Sequence, residues 1–419
     1  MYGKYHPFLV YFKLIQISIR KKMGFMSETD QQLKKSRGIL GIVTVFFWAS
    51  EYCHVPFFTP YLKTLGLTAT VIGFLVGSYG FTQMCIRVPL GIFADVKRKY
   101  RFIVIGGCFF TTVSSLGLYM TQNVPLMFLF RVLAGVAAST WVGFTVMYSG
   151  YYPPSEGTKA MATINACNNT GKLLAFILGS VTANLFGYRA PLLMSCITGF
   201  IAVGLALFVK DVDVTRKPVR FSALIGTFRE VGVILPAGLA IVQQMILQAT
   251  AFSFTSEVTR GLGASAAQIG FSSSLFTIFQ ILAALFVGHR IANKLGERKI
   301  IPAAFLVMTL YCVCVGFATN IYAIYAAQIF GGFANATLFS MLLAGCIKYV
   351  PQEKKSTAMG FFQAVYGFGM TLGPVLMGRL VDISGSQTAF AVFGVCASFA
   401  GAAAYVLIPA VAKHYAASR

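Results

Sequence analysis

Along this chain, apolar runs alternate with short polar turns, and most runs reach the length of about 20 residues that an α-helix needs to cross the hydrocarbon core of a bilayer. They predict twelve helices, at 39–62, 68–93, 102–121, 125–152, 160–186, 190–210, 234–257, 266–290, 300–318, 320–349, 358–383 and 388–410. Residues 1–38 then read as an N-terminal tail, 39–210 as a six-helix bundle, 211–233 as a polar, basic linker holding Pro218, 234–410 as a second six-helix bundle, and 411–419 as a tail. The expected fold class is therefore an all-α integral membrane protein.

Composition agrees with that pattern. With 57% hydrophobic and 11% charged residues, the chain has too little polar surface for a soluble globule. Its net charge of +22 has to be weighed by position. Lys63, Arg189 and Arg260 fall on one set of loops, Arg87, Arg131, Lys172 and Arg379 fall within helices, and the other 27 of the 34 Lys and Arg fall on the opposite loops or tails. That bias places both termini in the cytoplasm, of a multi-pass protein expected in the plasma membrane. The basic charge fixes orientation and meets anionic lipid, and no nucleic-acid partner is implied. The nine cysteines are scattered, so neither a disulfide framework nor a metal site is expected. No phosphate-binding glycine loop or nucleophile motif is present, so the expectation is a protein that is not an enzyme and uses no cofactor. Residues 1–25 read as an upstream extension before Met26 or as an interfacial helix.

The chain also resembles itself at an offset of 197 to 198 residues. Gly66 to Phe74 falls on Gly263 to Phe271, Thr158 to Met161 on Ser356 to Met359, Gly91 on Gly288, and, with one residue of slippage, Asp95 on Asn293. Parallel six-helix repeats place a substrate site at mid-depth between two pseudo-symmetric halves, opened alternately to each side.

The turn after helix 2 carries Gly91, Asp95, Lys97, Arg98 and Arg101, and helix 4 carries Arg131-Val-Leu-Ala-Gly135. These motifs, with the repeat, resemble the major facilitator superfamily of secondary transporters over roughly residues 36 to 412. The resemblance implies that Gly91, Asp95, Arg98 and Arg101 gate the cytoplasmic side, with Asp95 latching the halves when the cavity faces outward. In the second half Asn293 stands in place of the acid, so only the first loop keeps a charged latch. The Gly-Pro motif that the family's antiporters carry in helix 5 is absent there, and Gly373-Pro374 occurs in helix 11 instead. The helix 11 glycines Gly369, Gly373 and Gly378 are expected to permit close helix packing.

Glu51 is the one carboxylate deep within a predicted helix, about twelve residues or 18 Å from its cytoplasmic end. A carboxyl group at that depth must be paired or neutralised. It is a candidate proton-coupling site, with a static ion pair to a neighbouring helix as the alternative. His54, one helical turn on, and Arg131 are its expected partners. Lys172 with Asn165, Asn168 and Asn169 forms one polar stripe expected to line the cavity. Trp141, Tyr148, Trp48, Phe47 and Phe58 are candidates for an aromatic wall or for plain packing. Gln244, Gln248 and Gln363 are candidate substrate donors, alongside Gln243, Gln280, Gln328, Asn335 and Tyr366, many of which can equally bridge helices. Glu51 set against Arg131 and Lys172 leaves the cavity neutral to positive.

The function expected is proton-coupled secondary transport of a small organic or amphipathic solute by alternating access, acting as a monomer. Efflux is what the resemblance implies. The alternatives are a proton symporter for a sugar or organic acid, and a lipid or glycolipid flippase of the same fold.

Overall fold

The computed structural model describes residues 31–97, 99–211, 230–286, 296–351 and 354–417, with only the backbone of Asp95, Pro154, Thr158, Ser356, Thr357, Ala416 and Ala417. Twelve long helices hold nearly all of these residues, and no strand occurs among them. In the first half they are α1 (Gln31–Thr64), α2 (Ala69–Lys97), α3 (Tyr100–Met120), α4 (Val124–Gly150), α5 (Gly157–Phe186) and α6 (Ala190–Ala206). In the second they are α7 (Val231–Gly261), α8 (Ala266–Phe286), α9 (Glu297–Gly316) and α10 (Ile321–Lys348). The stretch Lys355–Ala417 divides at Gly385 (φ +82°) into α11 and α12. Among the described residues nine stretches are long and apolar enough to span a membrane, the last of which contains both α11 and α12. The two helices outside that set are α6, which is short, and α5, which carries the asparagine and lysine stripe. Large apolar side chains such as Phe102, Phe186, Phe208 and Phe399 face outward, as lipid contact requires.

The helices match the expected spans closely except at the two ends of the described chain, where α1 begins at Gln31 instead of 39 and α12 runs to Ala417 instead of ending at 410, so the expected tail is helical that far. The extra turns of α1 are polar and mostly exposed, and Arg37 Nε anchors them by donating to Tyr151 O at 2.8 Å.

The sequence repeat is written into local structure. Asn123 and Asn320, 197 residues apart, each accept a backbone N–H at the start of α4 and α10, at 3.2 and 3.0 Å. Gly66 and Gly263 end the first and seventh helices with φ of +76° and +81°, a left-handed conformation that favours glycine. Helix deformations recur too. α1 breaks at Cys53–His54, just before Pro56 removes a backbone donor, and α7 widens into a π-helical turn over Thr250–Phe254. Both interruptions lie at mid-depth.

Both ends of the described chain lie at one end of the bundle, here the near face, with Arg37, Tyr151 and Lys210 of the first half linked there. On the same face Glu230 meets Tyr415 and Lys348 pairs with Glu297. At the opposite, far face the two halves are sealed together. Asp382, closing α11, accepts from the first backbone donors of α2, Ala69 N at 2.9 Å and Thr70 N at 2.7 Å. Along that seam a Cβ on Gly73 would lie 2.2 Å from Pro374 O, and one on Gly378 would lie 2.1 Å from Ala69 O. The pseudo-symmetric seam joins α5 to α8, where Gly270 packs on Ser180 and the Ser180 hydroxyl donates to Ala266 O and Ala267 O at 3.4 and 3.3 Å. The remaining helix 11 glycines, Gly369 and Gly373, admit the α7 backbone at Ile241 and Met245. Close packing is therefore what those glycines do.

Candidate functional site

The break in α1 and the π turn in α7 meet at the centre of the bundle. There a cavity of about 30 Å³, room for about two waters, is lined by Glu51, His54, Tyr79 and Arg131 from the first half and by Gln248 and Phe252 from the second. Glu51 is buried, and its Oε1 has no hydrogen-bond partner. Thr111 neighbours it, and the Thr111 hydroxyl lies 3.1 Å from Ser50 Oγ.

The expected contact between Glu51 and Arg131 is not made as an ion pair. Among the described residues the ion pairs are Lys159–Glu156, Arg260–Glu257 and Lys348–Glu297, all at the bundle ends. Arg131 instead places Nη1 3.3 Å from His54 Nε2, donates from Nε to Leu75 O at 3.3 Å, and lies over the rings of Phe58 and Tyr79. A guanidinium can only donate, so His54 Nε2 is the acceptor and its proton sits on Nδ1, facing Ser195 Oγ at 3.1 Å. In this arrangement His54 is held between Arg131 and Ser195. The helix break between Glu51 and His54 gives the two side chains different partners, although both line the cavity.

Lys172 stands over two aromatic rings of α1, 5.2 Å from the centre of Trp48 and 4.8 Å from that of Tyr52. Trp141 meets Trp48 edge to face at 5.3 Å, Phe47 packs on Phe144 at 4.7 Å, and Tyr52 reaches Phe252 of the second half at 5.6 Å. These rings form one packed aromatic cluster, with the Lys172 ammonium over two of them. Phe58 belongs instead beside Arg131, and Tyr148 stacks with Tyr152 nearer the near face. The polar stripe divides: Asn168 is buried with Oδ1 unpartnered, Asn169 is half-buried, and exposed Asn165 donates to Met161 O of its own helix at 2.9 Å.

Of the amides, Gln244 is buried and Gln248 lines the cavity. Gln243 donates to Asn335, and Gln328 to Ser272 Oγ at 3.1 Å, so these bridge helices. Gln363 accepts from Arg87, a residue that the sequence places within a helix without marking a role for it. Arg87 is 93% buried, since its exposure is 7%. Its Nη1 donates to Tyr366 OH at 2.9 Å and to Gln363 Oε1 at 3.4 Å, both on α11. The available signal was a cation inside an apolar stretch, six residues after Phe81 and two before Pro89. Nothing in sequence marked Asp382 as the partner of α2.

At the near face, the gating candidates are partly described. Gly91 sits in α2 with only Val142 nearby, at an ordinary 3.7 Å for an added Cβ. Arg101 is held within its own half, donating from Nη2 to Leu207 O at 2.7 Å and from its backbone N to Asp211 at 3.4 Å. The Asp95 backbone lies in the last turn of α2, while Arg98, Asn293 and residues 1–25 lie outside the described residues.

Comparison with known proteins places this geometry. The family model for the Major Facilitator Superfamily matches residues 40–254 and 236–418. The uncharacterized MFS-type transporter MJ1560 of Methanocaldococcus jannaschii is 22% identical over 395 residues, 90% of this chain and 99% of that protein. The quinolone resistance protein NorA of Staphylococcus aureus is 22% identical over 339 residues, covering 78% of this chain and 85% of NorA. Among solved structures, the nucleoside transporter NupG aligns with a TM-score of 0.73 at 17% identity, over 89% of this chain and 99% of that one. A bacterial homologue of the human lysosomal transporter Spinster, inward-facing and unoccupied, aligns with a TM-score of 0.70 at 13% identity, over 90% and 96%. With its motifs, its repeat and both halves matched, the chain belongs to the Major Facilitator Superfamily of membrane transporters.

Proposed function

We propose that this transporter couples the movement of a small organic or amphipathic solute to protons, that Glu51 carries the proton, and that transport is outward. The observation that supports it is the Glu51 carboxyl group, buried beside a cavity between the halves with one oxygen unpartnered and no ion pair. A carboxyl group so placed is costly while charged and inexpensive once protonated, so its charge state responds to which face the cavity opens to. The near face, rich in Lys and Arg, is cytoplasmic by the positive-inside rule, which puts the sealed far face outside. The likeness to NorA, a quinolone resistance protein, supports efflux.

A second reading, uptake of a sugar or organic acid with protons, draws support from the second half. The side-chain carbonyls of buried Gln243 and Gln328 have no donor, which leaves acceptors for a hydroxylated solute. A flippase has less support, because both far-face seams are sealed by close helix contacts.

The test is transport by purified protein in vesicles with an imposed pH gradient, using a solute found by thermal-shift screening of metabolites and drugs, quinolones first. Gradient-driven accumulation that collapses with nigericin is expected. Transport that equilibrates the solute without responding to the gradient would refute coupling.

A further inference from the structure

The interior of the bundle holds more positive charge than its one carboxylate can balance. Among the described residues Arg87 and Arg131 are buried and Lys172 half-buried within it, against Glu51 alone. Lys172 stands over two rings of α1 and keeps part of its surface accessible. Arg131 is satisfied by His54, Leu75 O and two rings. Arg87 is not. Two of its nitrogens are occupied: Nη1 by Tyr366 and Gln363, and Nη2 by a long 3.5 Å contact to Ala138 O. Its Nε has no partner. A buried orphan donor is uncommon in a folded protein, and one on a charged group costs more than a neutral one. The free Nε and the weakly used Nη2 form one edge of the guanidinium, a pair of parallel donors with the spacing of the two oxygens of a carboxylate.

We infer that the transported solute is an organic anion whose carboxylate docks on the Nε–Nη2 edge of Arg87, with its apolar body on the Trp48, Tyr52 and Trp141 wall beside Lys172. This deepens the transport reading above and rests on it only for the location of the cavity. The parts are contiguous. Nη2 of Arg87 reaches Ala138 O at 3.5 Å, Trp141 follows Ala138 by three residues on α4, and Trp141 meets Trp48, over which the Lys172 ammonium stands. Arg87 also joins α2 to α11 through Nη1, so an anion on its other edge shares the guanidinium with a contact that holds the two halves together.

The protein supplies its own probe, because its two tryptophans, Trp48 and Trp141, both stand in the proposed wall. Purified protein at pH 7, with no gradient imposed, is titrated with benzoate, nicotinate and 4-phenylbutyrate, each paired with its own amide, and with phenyl phosphate. Tryptophan emission is the readout. At least one carboxylate is expected to bind tenfold or more tightly than its amide, and Arg87→Gln to reduce it to the amide level. Arg87→Lys keeps the charge but loses the fork, and is expected to recover only part of the affinity. The inference is overturned if no carboxylate is preferred to its amide, silence throughout included, if correctly folded Arg87→Gln binds as wild type does, or if only phenyl phosphate binds. The wild-type comparison needs no variant to fold. Because no gradient is present, failure here leaves coupling at Glu51 untouched, while failure of the vesicle assay leaves this binding result standing.

Discussion

Replacing Asp382 tests how the far face is closed. Its carboxylate accepts from Ala69 N at 2.9 Å and Thr70 N at 2.7 Å, two of the donors that every helix start leaves without an intrahelical partner. It also brings negative charge to the positive end of the α2 dipole. An N-terminal cap is worth about 0.5–2 kcal/mol, and the charge adds about 0.3–1 kcal/mol, reduced here by the exposure of the site. Asp382→Ala removes both, so about 1.5 kcal/mol of the preference for a closed far face is lost. That corresponds to roughly a tenfold rise in the ratio of far-face-open to far-face-closed molecules. Asp382→Asn keeps an acceptor and should give a smaller rise. Spin labels at exposed Gln122 and Thr319, on far-face turns of the two halves, report that ratio as a distance distribution, with exposed Cys85 and Cys314 changed to serine. The expected result is growth of a longer-distance population in Asp382→Ala, intermediate in Asp382→Asn. Identical distributions in all three proteins would refute the latch.

Other expectations follow from the same contacts. His54→Ala strands Arg131 Nη1 in a buried site and should cost about 1–3 kcal/mol, seen as a lower Tm, while gradient-driven transport survives at permissive temperature. Gly369→Ala places a Cβ 2.0 Å from Ile241 O, and overpacking of about 1–3 kcal/mol should lower Tm without altering the tryptophan emission. Lys172→Gln removes the cation held over Trp48 and Tyr52. It should shift tryptophan emission in the ligand-free protein, whereas an unchanged spectrum would show that the ammonium does not rest on that wall.

The large-scale fold was legible because bilayer spans impose a length and a polarity that no packing detail can disguise. The repeat was legible for a related reason: Gly66 and Gly263 must both adopt a left-handed conformation, and Asn123 and Asn320 must both cap, so the two copies keep recognisable residues. Glu51 and the Lys172 stripe stood out by their cost in an apolar environment. Their partners did not. Arg131 lay at a suitable depth for Glu51, yet depth says nothing of rotation about the helix axis, and the break at Cys53–His54 presents His54 to it instead. Arg87 and Tyr366 are 279 positions apart, and Asp382 and Ala69 are 313 apart. Such contacts follow from how two rigid halves dock, which local pattern does not encode. The split within the amides, with Gln243 and Gln328 bridging helices and Gln248 facing the cavity, likewise follows from helix docking and not from local pattern.

Coupling at Glu51 is tested most directly by Glu51→Gln in sealed vesicles, measured twice with the same solute: once as exchange at equal pH, once as accumulation against an imposed pH gradient. Glutamine keeps the size and hydrogen bonding of a protonated carboxyl group but cannot release a proton. The predicted result is exchange close to wild type with accumulation abolished. Accumulation by Glu51→Gln that still follows the gradient would show that the proton travels elsewhere.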